Sequence, residues 1–355
     1  MPRPPLDSLN PRRIALIKPS ALGDIVHALP VLTALRERFP DAHITWIVNR
    51  AYEPLLTGHT DLNATLSFDR GALRSGVVAT AMTAVRFART LRNSQFDLAI
   101  DLQGLFRSGV MTYATGAARR VGLSTAREGA RHFYTDVIPT PGLKEAHAVD
   151  RCWRAAEALG AGDAPKRFRL PVDTAAQSWA AALLGRYTRP WLVAAPGARW
   201  ATKRWPPDHF AAVLRAAGHR HGGTVVLIGT DDERPLAERV ARTAELPALD
   251  LCGRTTLPQL TAILALADLV LANDSGPLHI AAALGRPVVA PYTCTEIRLH
   301  GPYSRNGAVS TGVACRGSYV RSCDHLSCMK DLTPDRLMAP AFEELASWPR
   351  LCRSA

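Results

Sequence analysis

The sequence contains no run of apolar residues long enough to cross a lipid bilayer. Its richest apolar stretch, residues 257–272, is interrupted by Gln259 and Asp268, whereas a spanning helix needs about 20 mainly apolar residues. The N-terminal segment Met-Pro-Arg-Pro-Pro also lacks the apolar core of a secretory signal peptide. We therefore expect a cytosolic protein without a transmembrane helix.

Three familiar motifs are missing as well. The chain has no Gly-x-Gly-x-x-Gly fingerprint, no Gly-x-x-x-x-Gly-Lys-Ser/Thr P-loop and no Gly-x-Ser-x-Gly nucleophile elbow. Because each motif supplies the backbone geometry that its chemistry requires, these absences disfavour a dinucleotide oxidoreductase and a P-loop kinase.

Cysteine is scarce, and the cysteines do not form the pattern of a disulfide framework. Seven cysteines in 355 residues are an odd number spread along a long chain, which argues for reduced thiols rather than disulfides. Cys315, Cys323 and Cys328 lie close together in sequence, but their spacing matches no paired Cys-x-x-Cys zinc pattern. We expect no metal site, and the sequence assigns these three thiols no role.

Acidic residues are outnumbered by basic ones. The chain has 43 Lys and Arg against 31 Asp and Glu, a formal net charge of +12. Such a charge favours anionic partners, namely nucleic acid, a nucleotide-linked substrate or an acidic membrane surface. Nucleic acid is the weakest of the three, because the basic residues form no stripe interleaved with aromatic residues and no known binding module.

Strand-like apolar runs alternate with helix-like stretches along the chain, which predicts an α/β protein with parallel sheets covered by helices. A chain of this length is expected to form two domains. The predicted strands are 14–17, 44–48, 98–102, 191–195, 224–228, 249–252, 269–272 and 288–290. We place one doubly wound domain at 1–180, a second at 181–334, and a C-terminal helix at 335–355 that packs back across the link; the link itself falls within 171–190.

The stretch from Ile14 to Pro30 organises the first domain. A short apolar run stops at Pro19, and apolar residues then recur at helical spacing, so Asp24 opens a helix just beyond the carboxyl end of the first strand. Ligands bind at that edge of an open parallel sheet. The alternative is an ordinary acidic helix cap, since Asp is favoured at helix starts.

Two stretches of the second domain repeat this arrangement. Asn273-Asp-Ser-Gly-Pro-Leu-His279 follows a strand and opens a helix, so its amides suit a phosphate, although a simple capped turn reads the same way. Pro196-Gly-Ala-Arg-Trp-Ala-Thr-Lys-Arg-Trp-Pro206 also follows a strand, and its cations could neutralise a diphosphate or could be solvated charge. An acidic residue of Gly229-Thr-Asp-Asp-Glu-Arg234 could bind ribose hydroxyls, and which one is left open.

Taken together, these motifs resemble the family-9 glycosyltransferases of lipopolysaccharide core synthesis, the heptosyltransferases. The resemblance runs from about residue 14 to residue 334 and includes Lys18-Pro-Ser-Ala-Leu-Gly-Asp24, Asp101-Leu-Gln-Gly-Leu-Phe-Arg-Ser108, Thr125-Ala-Arg-Glu128 and His147-Ala-Val-Asp-Arg151. These last three look like the enzyme that adds the first heptose. The segment 315–334 is closer to the second heptosyltransferase, so the acceptor stays open.

The resemblance implies a GT-B fold, in which two Rossmann-like domains face each other across a cleft. It also implies an inverting transfer of heptose from ADP-heptose to a sugar hydroxyl of the lipopolysaccharide inner core, with no metal and no cofactor. It implies catalytic roles for Asp24 as base and for Lys203 at the leaving group. The residues expected to bind the donor are Ser20, Gly23, Thr202, Arg204, Asp274, Ser275, Gly276 and His279. The candidate cations for the anionic acceptor are Arg70, Arg74, Arg107 and Arg127, with Arg131 beside them.

The partners expected are ADP-heptose, an acceptor of the Kdo-lipid A type and the acidic inner-leaflet surface, with peripheral attachment to the inner face of the inner membrane. Two other functions are compatible with the same features. A GT-B enzyme using another nucleotide-sugar or acceptor would keep Lys203 and Asp274. A non-catalytic protein that binds anionic glycolipid would use the positive charge without needing Asp24.

Overall fold

The structure is a computed structural model that describes residues 3–69, 77–142, 145–303 and 306–347. The chain divides into two compact units, Met1–Pro171 and Val172–Ala355. The domain boundary expected from the sequence, between residues 180 and 181, falls inside a helix, Thr174–Leu184. None of the helices in the described ranges combines the length and the apolar character needed to cross a bilayer.

The first unit alternates strands and helices. Its elements are β1 (Arg13–Ile17), α1 (Leu22–Arg38), β2 (His43–Asn49), β3 (Ala64–Phe68), α2 (Val77–Asn93), β4 (Leu98–Asp101), α3 (Phe106–Ala114), β5 (Arg119–Leu123), β6 (Asp136–Ile138) and α4 (Ala148–Ala158).

These six strands form one parallel sheet in the order β3-β2-β1-β4-β5-β6. Four of the five residues of β1 are fully buried because the strand lies at the centre of the sheet with both faces covered. Helix α1 buries a continuous apolar stripe that includes Ile25, Leu29 and Leu32, and it packs against α4. The centre of the core is therefore the strand that leads directly into Asp24.

The second unit has the same alternation. Its elements are α5 (Thr174–Leu184), β7 (Trp191–Ala195), α6 (Pro207–His221), β8 (Thr224–Leu227), α7 (Arg234–Ala244), β9 (Ala248–Asp250), α8 (Leu257–Leu266), β10 (Leu269–Ala272), α9 (Gly276–Ala283), β11 (Val288–Tyr292), α10 (Ile297–His300), β12 (Ala308–Ser310), α11 (Ser327–Asp331) and α12 (Asp335–Ser347).

The second sheet is also parallel, in the order β12-β11-β10-β7-β8-β9. Numbered from the first strand of each unit, both sheets have the order 3-2-1-4-5-6, which is the doubly wound Rossmann order. The chain order reverses between the first and fourth strands, so the loops that follow these two strands diverge from a common crevice. The α/β fold class expected from the sequence is confirmed.

All eight predicted strands are present, with ends that differ by no more than two residues. Four further strands, β3, β5, β6 and β12, were not predicted. Between residues 101 and 191 the sequence predicts one helix, at about 148–159, in an otherwise less regular region. Helix α4 confirms that helix, but the region also contains β5, β6, α3 and α5, which were not predicted. Helix α12 contacts α6 and strands β10 to β12 of its own unit, and its packing across the link stays a prediction.

Candidate functional site

The residues singled out in the sequence fall on the loops that leave the two crevices or on the first turns of the helices that follow those loops. In the first unit Ile17 pairs with Asp101 across β1 and β4, and in the second Ala195 pairs with Ala272 across β7 and β10. The loops after these four strands are therefore neighbours in pairs. Ser20, Gly23 and Asp24 follow β1; Thr202, Lys203 and Arg204 follow β7; Asp274, Ser275, Gly276 and His279 follow β10.

Asp274 is the centre of the second unit's site. Its Oδ2 accepts hydrogen bonds from Lys203 Nζ at 2.6 Å and from Thr295 Oγ1 at 2.8 Å, and its Oδ1 lies 3.3 Å from His279 Nε2. The carboxylate and His279 are both buried, and the Lys203 side chain is only 17% exposed. Three polar partners, from the loop after β7, from helix α9 and from the loop after β11, thus meet on one buried carboxylate.

The charge of Asp274 is maintained by these partners. Burial alone would raise its pKa, but the hydrogen bond from His279 and the positive charge of Lys203 outweigh burial and hold the pKa well below the usual carboxyl value. Asp274 is therefore ionised at neutral pH. It forms a buried ion pair that fixes the ammonium group of Lys203 beside the start of α9.

An aromatic ring supports Lys203 from another side. Lys203 Nζ lies 4.6 Å from the centre of the Trp200 ring, and the guanidinium carbon of Arg321 lies 5.1 Å from the same ring. Both distances are within the range of cation–π contacts. Trp200 thus brings a second cation, from a distant segment of the chain, to the edge of the Lys203 site.

The start of α9 offers unused hydrogen-bonding groups. Ser275 stands at the N-cap position, and its hydroxyl makes no capping bond. The Ser275 Oγ atom is buried and has no hydrogen-bond partner among the described residues. Free N–H groups and the helix dipole make this position favourable for an anion. Lys203, Ser275 and the α9 terminus together have the positive charge and the hydrogen-bonding groups that suit a phosphate-like group.

The neighbouring Asn273 joins the two loops of this site. Its Nδ2 donates to the carbonyl of Pro196 at 2.7 Å, and its Oδ1 accepts from the Trp205 amide at 3.2 Å. Asn273 is completely buried. It therefore holds the beginning and the end of the Lys203 loop against β10.

Thr202 and Arg204 have structural contacts within this loop. Buried Thr202 donates from Oγ1 to the carbonyl of Val320 at 2.6 Å, and Arg204 Nε donates to the carbonyl of Ala198 at 2.6 Å. The first bond fastens the segment around residue 320 to the loop, and the second closes the loop on itself. Their predicted donor contacts stay predictions.

The acidic segment after β8 also has definite internal contacts. Glu233 accepts from the Thr230 amide at 2.9 Å, and its carboxylate occupies the space that a side chain at Gly197 would need. Asp231 pairs with Arg234 at 2.7 Å and is largely exposed. Of these acids, Asp231 keeps the more accessible carboxylate.

In the first unit, Asp24 is the third residue of α1 and is half-buried. Its Oδ2 accepts a hydrogen bond from the Ala21 amide at 3.0 Å, so it caps its own helix. Its other oxygen, Oδ1, accepts no hydrogen bond from any residue in the described ranges. Both interpretations made from the sequence, cap and base, are therefore compatible with this geometry.

Two cations, Lys18 and Arg151, lie near the Asp24 loop. Lys18 is buried and donates from Nζ to the carbonyl of Leu102 at 2.9 Å, which ties the loop after β1 to the loop after β4. Burial raises the pKa of the Cys152 thiol, and the nearby charges of Lys18, Asp24 and Arg151 modulate it. Cys152, on α4, therefore lies near Asp24 and these two cations.

The loop after β4 is organised by Asp101. Its Oδ1 accepts from the amides of Gln103 and Gly104, and its Oδ2 accepts from the Tyr134 hydroxyl at 2.7 Å. Burial raises the pKa of Asp101, and these hydrogen bonds only partly offset it. The Tyr134 ring can pack against strand β5 because residue 122 of that strand is glycine. A Cβ atom at position 122 would lie 2.1 Å from the ring.

Three of the predicted acceptor arginines lie in the part of the chain that the structure describes. Arg107 on α3, Arg127 after β5 and Arg131 are exposed. The amide of Arg127 donates to the carbonyl of Gly104 at 2.8 Å, so the loops after β4 and β5 are joined. Arg70 and Arg74 lie outside the described residues.

The cysteine cluster has no metal geometry in the described part of the chain. There, no group of three or more His, Cys, Asp or Glu side chains is placed to hold a metal ion. Cys294 and Cys328 are buried thiols, and Cys315 and Cys323 are exposed thiols.

Sequence reasoning missed several contributors to these sites. Thr295, which shares Asp274 with Lys203, comes from the loop after β11, and Arg321 reaches Trp200 from a segment without regular structure. No local pattern marks either residue. Lys18 could have been found, because a lysine at the end of a buried strand must place its charge at the sheet edge.

Comparisons with known proteins agree with this fold. The model of glycosyltransferase family 9 (heptosyltransferase) matches residues 84–325. The lipopolysaccharide core heptosyltransferase OpsX of Haemophilus influenzae is 28% identical over 304 residues, 84% of each chain. Lipopolysaccharide heptosyltransferase 1 of Pseudomonas aeruginosa is 28% identical over 336 residues, covering 90% of this chain and 89% of its own.

Among solved structures, the E. coli heptosyltransferase WaaC with ADP superposes with a TM-score of 0.72 at 23% identity, over 94% of this chain and 99% of its own. This likeness, at its low identity, is a likeness of fold. It confirms the GT-B class expected from the sequence, as two Rossmann-like units.

Proposed function

This chain belongs to glycosyltransferase family 9, the heptosyltransferases, and from that premise we propose that it transfers heptose from ADP-heptose, with inversion, to a sugar hydroxyl of the lipopolysaccharide inner core. The acceptor sugar is Kdo or the first heptose. We further propose that the enzyme works in the cytosol, attached peripherally to the acidic inner face of the inner membrane.

One observation carries the donor half of this proposal. Lys203 is held by the buried carboxylate of Asp274 beside the start of α9, next to the orphan hydroxyl of Ser275. An ammonium group and helix N–H groups at one point suit a diphosphate. The WaaC structure, which has the same fold, was solved with ADP.

The proposed reaction divides between two groups of residues. Asp24 takes the proton of the attacking acceptor hydroxyl while that oxygen bonds to the anomeric carbon of heptose. The bond between the anomeric carbon and the β-phosphate oxygen breaks, and its electron pair leaves with ADP. Lys203 and the α9 terminus stabilise the negative charge that develops on ADP. The products are the extended core sugar, ADP and a proton.

The proposed acceptor contacts lie in the first unit. The inner core carries carboxylates and phosphates, so it needs cations such as the exposed Arg107 and Arg127. Ser20 and Gly23, on the loop with Asp24, are proposed to contact the donor sugar, and Thr202, Arg204, Gly276 and His279 to shape the ADP site.

The test is ADP release from ADP-heptose with Kdo-lipid A as acceptor, in the presence of EDTA. Two substitutions separate the roles of Asp24. Asp24→Asn keeps an oxygen that can accept from the Ala21 amide but removes the base, whereas Asp24→Ala removes both. If Asp24 is the base, both variants lose turnover by about 10²- to 10⁴-fold, and their affinity for ADP is unchanged.

Other outcomes point elsewhere. If Asp24→Asn keeps full activity, Asp24 is only a helix cap. If the wild type binds ADP but releases none from ADP-heptose, another nucleotide-sugar or acceptor is used. If it binds the glycolipid and no nucleotide, it is a binding protein rather than an enzyme.

A further inference from the structure

Helix α3 presents three large apolar side chains to solvent. Phe106 is 51% exposed, Val110 41% and Tyr113 62%. They stand at positions i, i+4 and i+7 of the helix and therefore lie on one face. We call these three residues the α3 apolar face. Burial of such a face against a partner would remove apolar surface from water, which is favourable, so the face indicates a binding surface.

The face is built rather than incidental. The Phe133 ring lies 5.6 Å from the Phe106 ring and 6.2 Å from the Tyr113 ring, and so supports both from below. Phe133 can take this position because residue 109 is glycine: a Cβ there would come within 2.6 Å of the Phe133 ring. Helix α3 and the turn that carries Phe133 thus hold two aromatic side chains outward.

Cations rim the face. Between residues 106 and 134 the chain has five arginines and one acid, Glu128; one of the five, Arg119, is paired with Asp136 and does not contribute free charge. Arg107 and Arg131 are exposed. The Arg120 guanidinium lies 5.5 Å from the Tyr113 ring and is fixed there by hydrogen bonds to the carbonyls of Phe133 and Ala117. The occupant must therefore be both apolar and anionic.

We propose that the α3 apolar face docks this protein on the surface of an anionic phospholipid bilayer. Aromatic side chains insert at the level of the headgroups, and the surrounding arginines pair with lipid phosphates. The first unit as a whole has the matching charge, with 23 Lys and Arg against 15 Asp and Glu in residues 1–171. A second copy of the chain fits less well, because two such faces would bring like charges together.

This inference deepens the proposed function by naming the surface through which the enzyme reaches its lipid acceptor. The test needs neither donor nor acceptor. Binding of the full chain to phosphatidylglycerol vesicles and to phosphatidylcholine vesicles is measured by co-sedimentation, at about 0.1 M and about 0.5 M salt. Phe106→Ser/Tyr113→Ser removes the aromatic pair, and Val320→Ser removes a 48% exposed apolar side chain of the second unit as a matched control.

We expect the wild type and Val320→Ser to bind anionic vesicles, to bind neutral ones weakly and to lose affinity with salt. Phe106→Ser/Tyr113→Ser should bind at least about tenfold more weakly. Phe106→Trp/Tyr113→Trp, which keeps the face and enlarges it, should bind more tightly. This gain keeps the test decisive if the serine variant folds poorly.

Several results would overturn the inference. The first is that the wild type does not bind vesicles, and the second is that the serine variant binds them as well as the wild type does. The third is that the protein binds only vesicles that contain Kdo-lipid A. The fourth is a dimer, seen in sedimentation, that the serine substitutions abolish. The third result would leave the proposed function standing with the face assigned to the acceptor. Vesicle binding without ADP release would instead sustain the docking face while the proposed function fails.

Discussion

Replacing Asp274 by Asn should destabilise the second unit by leaving the ammonium group of Lys203 without its counter-ion. The substitution keeps the shape of the side chain and removes only its charge. Breaking a buried ion pair at one partner costs about 3–5 kcal/mol. Since Lys203 is 17% exposed and keeps its contact with the Trp200 ring, we take the lower end, about 3 kcal/mol. In a unit of this size that lowers the melting temperature by about 6–12 °C.

A double-mutant cycle isolates the pair from other effects of the substitution. Lys203→Met leaves the Asp274 carboxylate buried with Thr295 and His279 as its remaining partners, so it should also cost about 3 kcal/mol. The double variant has no unpaired buried charge and should cost much less than the sum. We expect a coupling free energy of at least about 2 kcal/mol.

The assay is hydrogen exchange in increasing urea, followed peptide by peptide, because a chain with two units need not unfold in one step. Peptides from β10 and α9 report the second unit. Peptides from β1 and α1 serve as an internal control and should exchange as in the wild type. If the two single substitutions are additive within about 0.5 kcal/mol, Asp274 does not hold Lys203 by charge, and the proposed donor site loses the observation that carries it.

Two further predictions concern the buried carboxylates. Burial raises the pKa of Asp274, but the His279 hydrogen bond and the Lys203 charge hold that pKa below its usual value. The stability that the Asp274 carboxylate contributes is therefore complete above about pH 4 and is lost as the pH falls. A difference in urea stability between the wild type and Asp274→Asn that does not shrink in acid would contradict this. Because burial raises the pKa of Asp101, Asp101→Asn should change the free energy of unfolding at neutral pH by less than about 1 kcal/mol or increase it. Asp101→Leu leaves the loop amides unpaired and should lower that free energy by about 2–3 kcal/mol. Equal losses in the two variants would show that the hydrogen bonds to the loop amides do not stabilise the protein.

Except for the partly buried edge strand β9, the strands that were predictable are those buried on both faces. Strand β7, for example, consists of five consecutive apolar residues that are all buried. Such a run is typical of a central strand in a parallel sheet. The missed strands are of another kind. Strand β5 begins with two arginines and contains Gly122, and every residue of β3 is only half-buried. Their pairing depends on neighbours in the sheet, which a local pattern does not contain.

The same limit applies to the sites. Asp24, Lys203 and Asp274 could be placed at the carboxyl edge because each follows a predictable strand. Their partners could not: Thr295 lies 21 residues from Asp274 in sequence, and Arg321 lies on a segment with no period of its own. Contacts between loops are decided by the order of strands in the sheet, and that order becomes visible only once the sheet is formed.

The repeated strand order has a consequence for recombination. Each sheet is complete within its own unit, and in the described residues α12 also packs on the unit to which it belongs. A cut between Pro171 and Val172 therefore divides no sheet and exposes no strand edge. Exchange of halves between relatives at this junction should yield chimaeras in which both sheets are intact. Under the function proposed above, acceptor choice should then follow the first unit and donor choice the second.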